Sequence, residues 1–431
     1  MKFYIYTLGC KVNTYESSVM SEKLRQKGLI EIESNKEDEI ADIYIINTCA
    51  VTNTASNKSL KMVRQAIRKN PNAIVAVVGC LTQKEAESVS KIEGVSIVLG
   101  NKNKSKIYDY IEKYQETKKQ IVDIYKLDDI KFEDMKLENT NKTRAFVKIQ
   151  DGCNNFCNFC IIPYSRGNVR SKEKEKVLEE ISQLVSNGHK EIVLTGIHTG
   201  HYGQDLKDYD LADLLTEIVK INRLERIRIS SIEITEITDK LLNVMKNNEK
   251  IVSHLHIPLQ SGCDKTLKEM NRKYDIKYFI EKIEKIRQIR PDISITTDVI
   301  VGFPNETEED FKITIENIKK INFSKLHVFP YSVRKGTVAE KMDNQISETV
   351  KKQRVSVLID ISKELEINYM KKFIDKEVIL IPEISHDEYL IGHTGNYLSI
   401  KVKADKKLLH EDVLVKINEI EYPYCIAELV K

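Results

Sequence analysis

The first hundred residues contain one unit three times, a short apolar and β-branched run that ends in a cysteine. The runs are FYIYTLGC, DIYIINTC and AIVAVVGC, which end at Cys10, Cys49 and Cys80. Polar residues and stretches with helical periodicity follow, such as KSLKMVRQAIRKN. Alternating strands and helices predict a parallel sheet covered by helices. We therefore expect a doubly wound α/β domain over residues 1–113, and then a polar linker over residues 114–140 with one edge strand.

The middle of the chain repeats the strand–helix pattern six more times. The apolar runs are AFVKIQ, EIVLTGI, RIRISSI, HLHIPL, ISITTDVIVGF and KLHVFPY. Amphipathic stretches such as KEKVLEEISQLVSNG lie between them and end in glycine, as many helices do. Six units are too few for an eight-stranded barrel, so they predict an open, partial (βα)6 barrel over residues 139–370.

The pattern changes again near the C-terminus. A Lys-, Glu- and Ile-rich stretch with helical character is followed by five short strand-like runs, EVILIPEI, EYLIGH, YLSIKVK, DVLVKINEI and YCIAELV. Short strands separated by turn residues predict a small antiparallel β-barrel over residues 371–431.

Composition excludes several classes of protein. Hydrophobic residues make up 41% and charged residues 31%, which excludes collagen-like and wholly disordered chains. With 68 Lys and Arg against 65 Asp and Glu, the net charge of +3 excludes a globally basic nucleic-acid coat but not a local basic patch. No apolar run reaches the ~18 residues of a membrane span, and the N-terminus lacks a secretory apolar stretch, so we predict a cytoplasmic protein without membrane contact. In that compartment, cysteines indicate metal binding, catalysis or packing rather than a disulfide framework.

Three cysteines follow the first strand of the predicted partial barrel in DGCNNFCNFC. We call Cys153, Cys157 and Cys160 the loop cysteines; their spacing is Cys-x3-Cys-x2-Cys. Three thiolates on one loop can hold three irons of a cubane cluster and leave the fourth iron open. Structural zinc sites need four ligands, and no fourth cysteine or histidine follows in this loop. Zinc with a distant fourth ligand and three packing cysteines remain the alternatives.

Cys10, Cys49 and Cys80, the strand-end cysteines, are too far apart in sequence to share a loop. Each ends a predicted parallel strand, and the carboxyl ends of neighbouring parallel strands share one edge of a sheet. We expect the three thiols to converge there, near helix N-termini that favour thiolates. The alternative is packing. Cys263 and Cys425 lack partners at ligand spacing, and we interpret both as structural.

These motifs resemble a known enzyme family. CNNFCNFC is similar to the signature of radical S-adenosylmethionine (SAM) enzymes, whose [4Fe–4S] cluster binds and cleaves SAM to form a 5′-deoxyadenosyl radical. TLGCKVNTYES, NTCAVT and VVGC resemble the N-terminal domain of methylthiotransferases, which implies a second [4Fe–4S] cluster on the strand-end cysteines. That family inserts sulfur into an unactivated C–H bond, methylates it, and ends in a TRAM domain, a small RNA-associated β-barrel.

Within that family, GCKVN, SSIE and YSVRKGT most resemble the branch that modifies threonylcarbamoyladenosine beside the tRNA anticodon. The resemblance implies a tRNA methylthiotransferase with tRNA, SAM, an external electron donor and a sulfur source as partners, and we expect a monomer. Alternative substrates are isopentenyladenosine in tRNA and an aspartate of a ribosomal protein. Alternative classes are a non-catalytic iron–sulfur or zinc RNA-binding protein and a sulfur carrier.

The resemblance also implies SAM-binding residues at strand ends. In this family, an acidic motif at the end of the second barrel strand usually contacts the amino group of SAM. In this chain, Gly196 stands at that position. The other predicted cofactor-binding residues are Phe159, Ser231, Glu233, Gln260 and Gly302. Packing or capping is the alternative for each, as it is for Glu306. His198 and His201 follow the second barrel strand and could face the site, but we expect them to be packing or solvated residues.

Basic residues supply the remaining candidates. Arg166, Arg170 and Arg334 lie on loops predicted to flank the site, and arginine suits a substrate carboxylate because its guanidinium binds it bidentately. Arg166 is the first choice as a catalytic residue because it is nearest to the loop cysteines, and Arg334 is the candidate for substrate discrimination. Lys61, Arg64 and Arg68, here called the basic stripe, share one face of a predicted helix. They are either an RNA-phosphate contact or an ordinary solvated face.

Overall fold

The structure is a computed structural model that describes residues 1–33, 39–127, 131–140 and 142–430. These residues form two compact units. Unit 1 comprises Met1–Ile218 and Ser332–Lys341, and unit 2 comprises Val219–Tyr331 and Met342–Lys431. These two units do not correspond to the three predicted domains, so they do not test the bounds of those domains, which remain predictions. No helix among the described residues is long and apolar enough to cross a membrane.

Unit 1 begins with a parallel sheet in which every neighbouring pair of strands is parallel. Its strands are β1 (Lys2–Thr7), β2 (Ile30–Glu31), β3 (Ile43–Thr48), β4 (Ile74–Gly79), β5 (Ile97–Leu99) and β6 (Ile121–Asp123). Its helices are α1 (Lys11–Gln26), α2 (Asn53–Lys69), α3 (Cys80–Ser90) and α4 (Ile107–Thr117). The order β2-β1-β3-β4-β5-β6 reverses between β1 and β3, as in a doubly wound sheet. Every residue of β3 and β4 is buried, which is why these runs contain Ile, Val and Ala.

The end of this sheet lies beyond residue 113. Helix α4 continues through that position, and β6 pairs in parallel with β5. The edge strand predicted inside the linker therefore belongs to the N-terminal sheet.

The rest of unit 1 carries the start of the six-repeat region. Its strands are β7 (Arg144–Lys148), β8 (Gln150–Asp151), β9 (Arg170–Ser171) and β10 (Glu191–Thr195). Its helices are α5 (Ile162–Arg166), α6 (Lys174–Ser186) and α7 (Leu211–Ile218). Strands β7 and β10 pair in parallel, and the short strands β8 and β9 pair antiparallel around the loop cysteines. Helix α6 ends before Gly188, whose φ of +99° and N–H bond to the Val185 carbonyl form the expected glycine stop.

Unit 2 carries the remaining repeats. Its strands in this region are β11 (Arg226–Ile229), β12 (His254–His256), β13 (Ser294–Val301) and β14 (Lys325–Pro330). Its helices are α8 (Asp239–Asn247), α9 (Asp264–Glu269), α10 (Ile276–Ile289), α11 (Glu308–Ile321) and α12 (Glu348–Lys371). Strands β12, β13 and β14 form a parallel sheet in that order. All six strands predicted for the middle region are present, which confirms its alternating α/β character.

Unit 2 ends in a closed five-stranded barrel. Its strands are β15 (Glu377–His386), β16 (Tyr389–Thr394), β17 (Ser399–Lys403), β18 (Val413–Glu421) and β19 (Tyr424–Leu429). All five predicted strands are present, but β17 and β19 pair in parallel, so the barrel is only mostly antiparallel. Arg226 of β11 contacts Asp412 at 3.3 Å, and Arg228 of the same strand stacks on Tyr397, which ties the barrel to the rest of unit 2.

Candidate functional site

The strand-end cysteines lie at one edge of the N-terminal sheet. Cys10 caps α1 directly after β1, Cys49 follows β3, and Cys80 is the first residue of α3 after β4. Strands β1, β3 and β4 are adjacent and parallel, so their carboxyl ends meet at the point where the strand order reverses. Ligand sites of doubly wound sheets occur at this position.

Two residues hold the ends of β1 and β3 together. Gly9 has φ +94°, and a Cβ there would lie 2.7 Å from Sγ of Cys49, so only glycine allows this approach. The buried Asn13 side chain donates to the carbonyls of Leu8 (2.6 Å) and Thr48 (2.9 Å). The Cys10 turn and Cys49 are therefore fixed against each other.

The three strand-end thiols lie within electrostatic range of one another. Burial raises the pKa of Cys49 to about 11, and the thiols of Cys80 and Cys10 add to the shift. Cys10 keeps some exposed surface, but burial of its surroundings also raises its pKa, with a further contribution from Cys80. Free thiolates are therefore disfavoured here, whereas a metal deprotonates the thiols that bind it.

The loop cysteines lie between β8 and α5 and are half-buried. The N–H of Asn155 donates to Sγ of Cys153, and the N–H of Ile162 donates to Sγ of Cys160, both at 3.5 Å. Gly152, with φ +75°, allows the loop backbone to pass against the Asn168 carbonyl. Amide hydrogen bonds to cysteine sulfur are one of the ways in which proteins tune iron–sulfur clusters. This donor set fits a [4Fe–4S] cluster.

A small apolar contact links the two cysteine sets. Ile161, which directly follows Cys160, packs against Cys80 and Ala50. Asn101 donates to Sγ of Cys80 at 3.5 Å and to the carbonyl of Ser165 in α5 at 2.8 Å. Both sets of sulfurs are therefore positioned by the same part of unit 1.

Arg166 lies in a fully buried network of charges. Its guanidinium contacts Glu16 (3.0 Å) and Asp151 (3.1 Å) and donates to Asn13 at 2.8 Å. Glu16 also binds Lys104 and Lys148, at 2.5 and 2.8 Å.

The charges in this network hold one another ionised. Burial opposes ionisation of Glu16, but Arg166, Lys104 and Lys148 lower its pKa well below the ordinary value. Burial also opposes the charge on Arg166, but the attraction of Cys80, Glu16 and Asp151 keeps its pKa well above the ordinary value. The first-choice arginine is thus already paired with two internal carboxylates, which argues against a substrate contact, and its catalytic role remains a prediction.

The other two candidate arginines differ in their partners. Arg170 contacts Asp151 at 3.4 Å and donates to the carbonyls of Arg166 and Asn168. Arg334 is buried as well, but its hydrogen bonds go to the neutral side chains of Asn53 and Ser56. In the described part of the chain, no ion pair joins Arg334 to a carboxylate.

The predicted SAM-binding residues are divided between the units. In unit 1, Phe159 is half-buried beside Cys160, and Gly196 packs against the Gln150 side chain. In unit 2, the backbone of Ser231 forms an isolated parallel β-bridge with His256, and Gln260 has a φ of +65°.

Two further members of this set already have close protein neighbours. Glu233 is paired with Arg272 at 2.5 Å. Gly302, with φ +71°, leaves room for the Lys351 side chain, which explains the glycine without a ligand. Its neighbour Glu306 accepts the N–H groups of Gly302 and Phe303, and burial raises its pKa to about 7. Cofactor contact by this set remains a prediction.

His198 is closer to the site than the sequence indicated. Its Nδ1 lies 3.4 Å from Sγ of Cys153, and its ring stacks on His201 at 3.7 Å. Its N–H donates to Gln150 at 2.8 Å, which fixes the turn after β10. An isolated histidine carries no spacing signal, so the sequence offered His198 only as a residue that could face the site, and packing or solvation was preferred. Glu16 and Asp151 were missed because a single carboxylate carries no spacing signal either.

The basic stripe lies on the exposed face of α2. None of its three side chains makes an ion pair within the described residues, so all three are available to solvent or to an anion. Cys263 and Cys425 are both buried in unit 2, and Cys263 donates to Asp310 at 3.4 Å, which agrees with structural roles.

Comparison with known proteins gives two family matches. The Radical SAM superfamily matches residues 147–318, and Uncharacterized protein family UPF0004 matches residues 2–100. The chain is 43% identical over 434 residues to threonylcarbamoyladenosine tRNA methylthiotransferase MtaB of Bacillus subtilis, covering 99% of this chain and 96% of the relative. It is 35% identical to tRNA-2-methylthio-N(6)-dimethylallyladenosine synthase of Carboxydothermus hydrogenoformans, covering 97% and 96%.

A solved structure resembles the fold. The radical S-adenosylmethionine methyltransferase TsrM of Kitasatospora setae, with cobalamin and a [4Fe–4S] cluster bound, superposes with a TM-score of 0.56. The match covers 76% of this chain and 71% of TsrM at 11% identity. At that identity the likeness concerns the fold alone.

Proposed function

The chain belongs to the radical SAM methylthiotransferase family, and we propose that it adds a methylthio group to the adenine of threonylcarbamoyladenosine beside the anticodon of tRNA. Family membership confirms the resemblance to radical SAM methylthiotransferases and makes the chain an enzyme of tRNA modification. The choice of substrate is supported by the higher identity to the MtaB relative than to the dimethylallyladenosine synthase.

The observation that carries the proposal is the presence of two cysteine triples in one unit, joined through Ile161 and Cys80. The superfamily implies a [4Fe–4S] cluster and SAM, and the loop cysteines are the residues that would hold that cluster. When bound, the cluster supplies the electron that cleaves SAM and so gives a radical able to take hydrogen from an unactivated carbon. We propose that the strand-end cysteines hold a second [4Fe–4S] cluster, at which the sulfur to be inserted is held before its delivery.

The chain's own residues orient these groups. The N–H groups of Asn155 and Ile162 donate to the sulfur atoms of Cys153 and Cys160 and so orient them. Glu16, Asp151 and Arg166 fix α1 against the loop that carries the cysteines, because one guanidinium binds carboxylates from both segments. We propose that Arg166 acts through this network, by positioning the two cysteine triples.

We further propose roles for the residues around SAM and RNA. Phe159, Gly196, Ser231, Glu233, Gln260 and Gly302 form the proposed SAM contacts. The basic stripe is the proposed phosphate contact for tRNA. The C-terminal barrel offers no electrostatic attraction for RNA, with nine Lys and Arg against eleven Asp and Glu over residues 371–431.

The remaining partners follow from the proposed reaction. An external reductant and a sulfur source are required, and we propose a monomer that acts in the cytoplasm, where tRNA is found.

The experiment is nucleoside analysis after reaction in vitro. Anaerobically prepared protein is incubated with SAM, a reductant and tRNA that carries either threonylcarbamoyladenosine or isopentenyladenosine. Digestion and mass spectrometry should show the methylthio product on the first tRNA in excess over the second. A product on the isopentenyl tRNA alone would move the chain to the other branch, and SAM cleavage without either product would contradict both assignments.

A further inference from the structure

We infer that Arg334 binds the carboxylate of the threonylcarbamoyl group and thereby selects this substrate over adenosines with uncharged N6 substituents. The inference rests on the proposed function and adds to it a residue that determines specificity. Three features of unit 1 support it: the partners of Arg334, the cost of its burial, and the cavity that it lines.

Arg334 is held in place by neutral groups only. Its side chain donates to Oδ1 of Asn53 and, at 3.2 Å, to Oγ of Ser56. The same loop is fixed to α2 by the N–H of Asn53, which donates to Ser332 at 3.0 Å. Helix α2 thus orients the guanidinium without neutralising it.

A third nitrogen of the Arg334 guanidinium, Nε, has no partner among the described residues. This nitrogen is buried, and only 7% of the residue is exposed. Arg166 and Arg170 are buried to a similar degree and their Nε atoms also lack a hydrogen bond within the described residues, but each guanidinium is paired with a carboxylate. Arg334 is therefore the one of the three candidates that still lacks a counter-ion in the described structure.

A buried cation without a counter-ion is costly, because the protein interior solvates charge poorly. The effect is visible in this residue, since burial lowers the pKa of Arg334 and the more distant Glu85 and Cys49 only partly offset it. Glu85 itself is exposed and forms no ion pair with the guanidinium. An anion bound next to Arg334 would remove the cost, and a planar carboxylate matches the free edge of a guanidinium.

The cavity in front of Arg334 has the size and position for such a ligand. Its volume is about 750 Å³, within the range of small-molecule sites. Besides Arg334, its wall contains three lysines and two glutamates, so cations outnumber carboxylates; these residues are Lys84, Lys91, Lys335, Glu85 and Glu87. Ile161, which directly follows Cys160 and packs on Cys80, lines it as well. A modified base with its carboxylate on Arg334 would therefore lie beside the residue that joins the two cysteine triples.

The experiment varies the enzyme and the substrate together. The variants are Arg334→Gln, Arg334→Lys and, as a charge-matched control, Arg223→Gln, which removes an exposed arginine of unit 2. The substrates are anticodon stem–loop RNAs that carry threonylcarbamoyladenosine or its methyl ester, which removes the charge and adds one methyl group. Methylthio product is measured as kcat/KM, with iron content and SAM cleavage recorded for each variant.

The wild type should prefer the acid over the ester by about 10- to 100-fold, the range of a hydrogen-bonded charge pair. Arg334→Gln should lose that factor on the acid and change little on the ester, so that the preference disappears. Arg334→Lys should retain part of it, since it keeps the charge but not the fork. Arg223→Gln should behave as the wild type. Because the preference is a ratio within one preparation, partial misfolding of a variant does not alter it.

Two results would overturn the inference. If Arg334→Gln loses activity equally on acid and ester, the guanidinium serves the cysteine clusters, SAM or an RNA phosphate. If it keeps the wild-type preference, another residue binds the carboxylate. A wild type that cleaves SAM but modifies neither RNA would instead refute the proposed function, and the inference would fall with it.

Discussion

Removal of the Glu16 carboxylate should destabilise unit 1 strongly, because this carboxylate is the shared partner of three buried cations. In Glu16→Gln, Arg166 and Lys148 keep Asp151, whereas Lys104 loses its ion-pair partner within the described residues. Lys104 has no exposed side-chain surface, so its charge would remain buried with only neutral partners, among them the Asn47 side chain at 3.2 Å. Breaking a buried pair in this way costs about 3–5 kcal/mol.

The network also predicts an order among variants. Lys104→Gln leaves Glu16 with two cations, so it should cost less, about 1–2 kcal/mol. Glu179→Gln removes one side of an exposed pair with Lys136 at 2.7 Å and should have no measurable effect. Lys104→Gln controls for the loss of a buried charge as such, and Glu179→Gln controls for the loss of a glutamate–lysine pair as such.

The pH dependence follows from the lowered pKa of Glu16. A carboxyl group whose pKa is lowered by folding stabilises the protein above its unfolded-state pKa, near 4.5, and loses that contribution as the pH falls towards the folded-state pKa. The wild type should therefore lose stability below pH 4.5 more steeply than Glu16→Gln.

The assay is urea unfolding of the anaerobically prepared protein, followed by far-UV circular dichroism, with the free-energy change taken from the midpoint and the slope. A loss below about 1 kcal/mol for Glu16→Gln, or a larger loss for Lys104→Gln, would refute the account of this network.

Further predictions concern the cysteines and the RNA surface. The wild type should contain about eight irons per chain, and alanine at the three loop cysteines should remove half of them and abolish SAM cleavage. Undiminished SAM cleavage in that variant would contradict the radical SAM assignment of the loop. Alanine at the three strand-end cysteines should also remove about half of the iron and stop sulfur insertion, but leave SAM cleavage intact. Full iron with normal methylthio product would show that they are packing residues. Charge reversal of the basic stripe should weaken tRNA binding and lower the slope of log K against log salt by about 0.7–0.9 per lost phosphate contact, measured by fluorescence anisotropy. Unchanged affinity would make the stripe an ordinary solvated face.

Local patterns in the sequence were sufficient for the elements and for the cysteine sets. β-branched runs that alternate with amphipathic stretches predicted β1, β3 and β4 of the N-terminal sheet, the six central strands and the five barrel strands, but not β2 or β5. The cysteines at three strand ends were expected to meet because parallel strands place equivalent ends at one edge. These inferences succeed because periodicity and strand direction are properties of short segments.

The limits of the sheets and the pairing of their strands were harder to predict from the sequence. The N-terminal sheet extends to β6, beyond the predicted bound at residue 113, because an edge strand of three residues carries almost no pattern. The parallel pairing of β17 with β19 depends on how the barrel closes, which no single strand reveals.

The partners of the three candidate arginines were decided by tertiary structure. In sequence, Arg166, Arg170 and Arg334 are all loop arginines near predicted strand ends, and only the distance from the loop cysteines favours Arg166. Folding brings Glu16 to Arg166 across 150 positions and pairs Asp151 with Arg166 and Arg170, whereas Arg334 receives only Asn53 and Ser56. Whether a charge is neutralised depends on contacts between distant segments and on exclusion of water, neither of which a local motif encodes. The sequence therefore identified the chemistry of the site, and the fold determined which cation is left for a ligand.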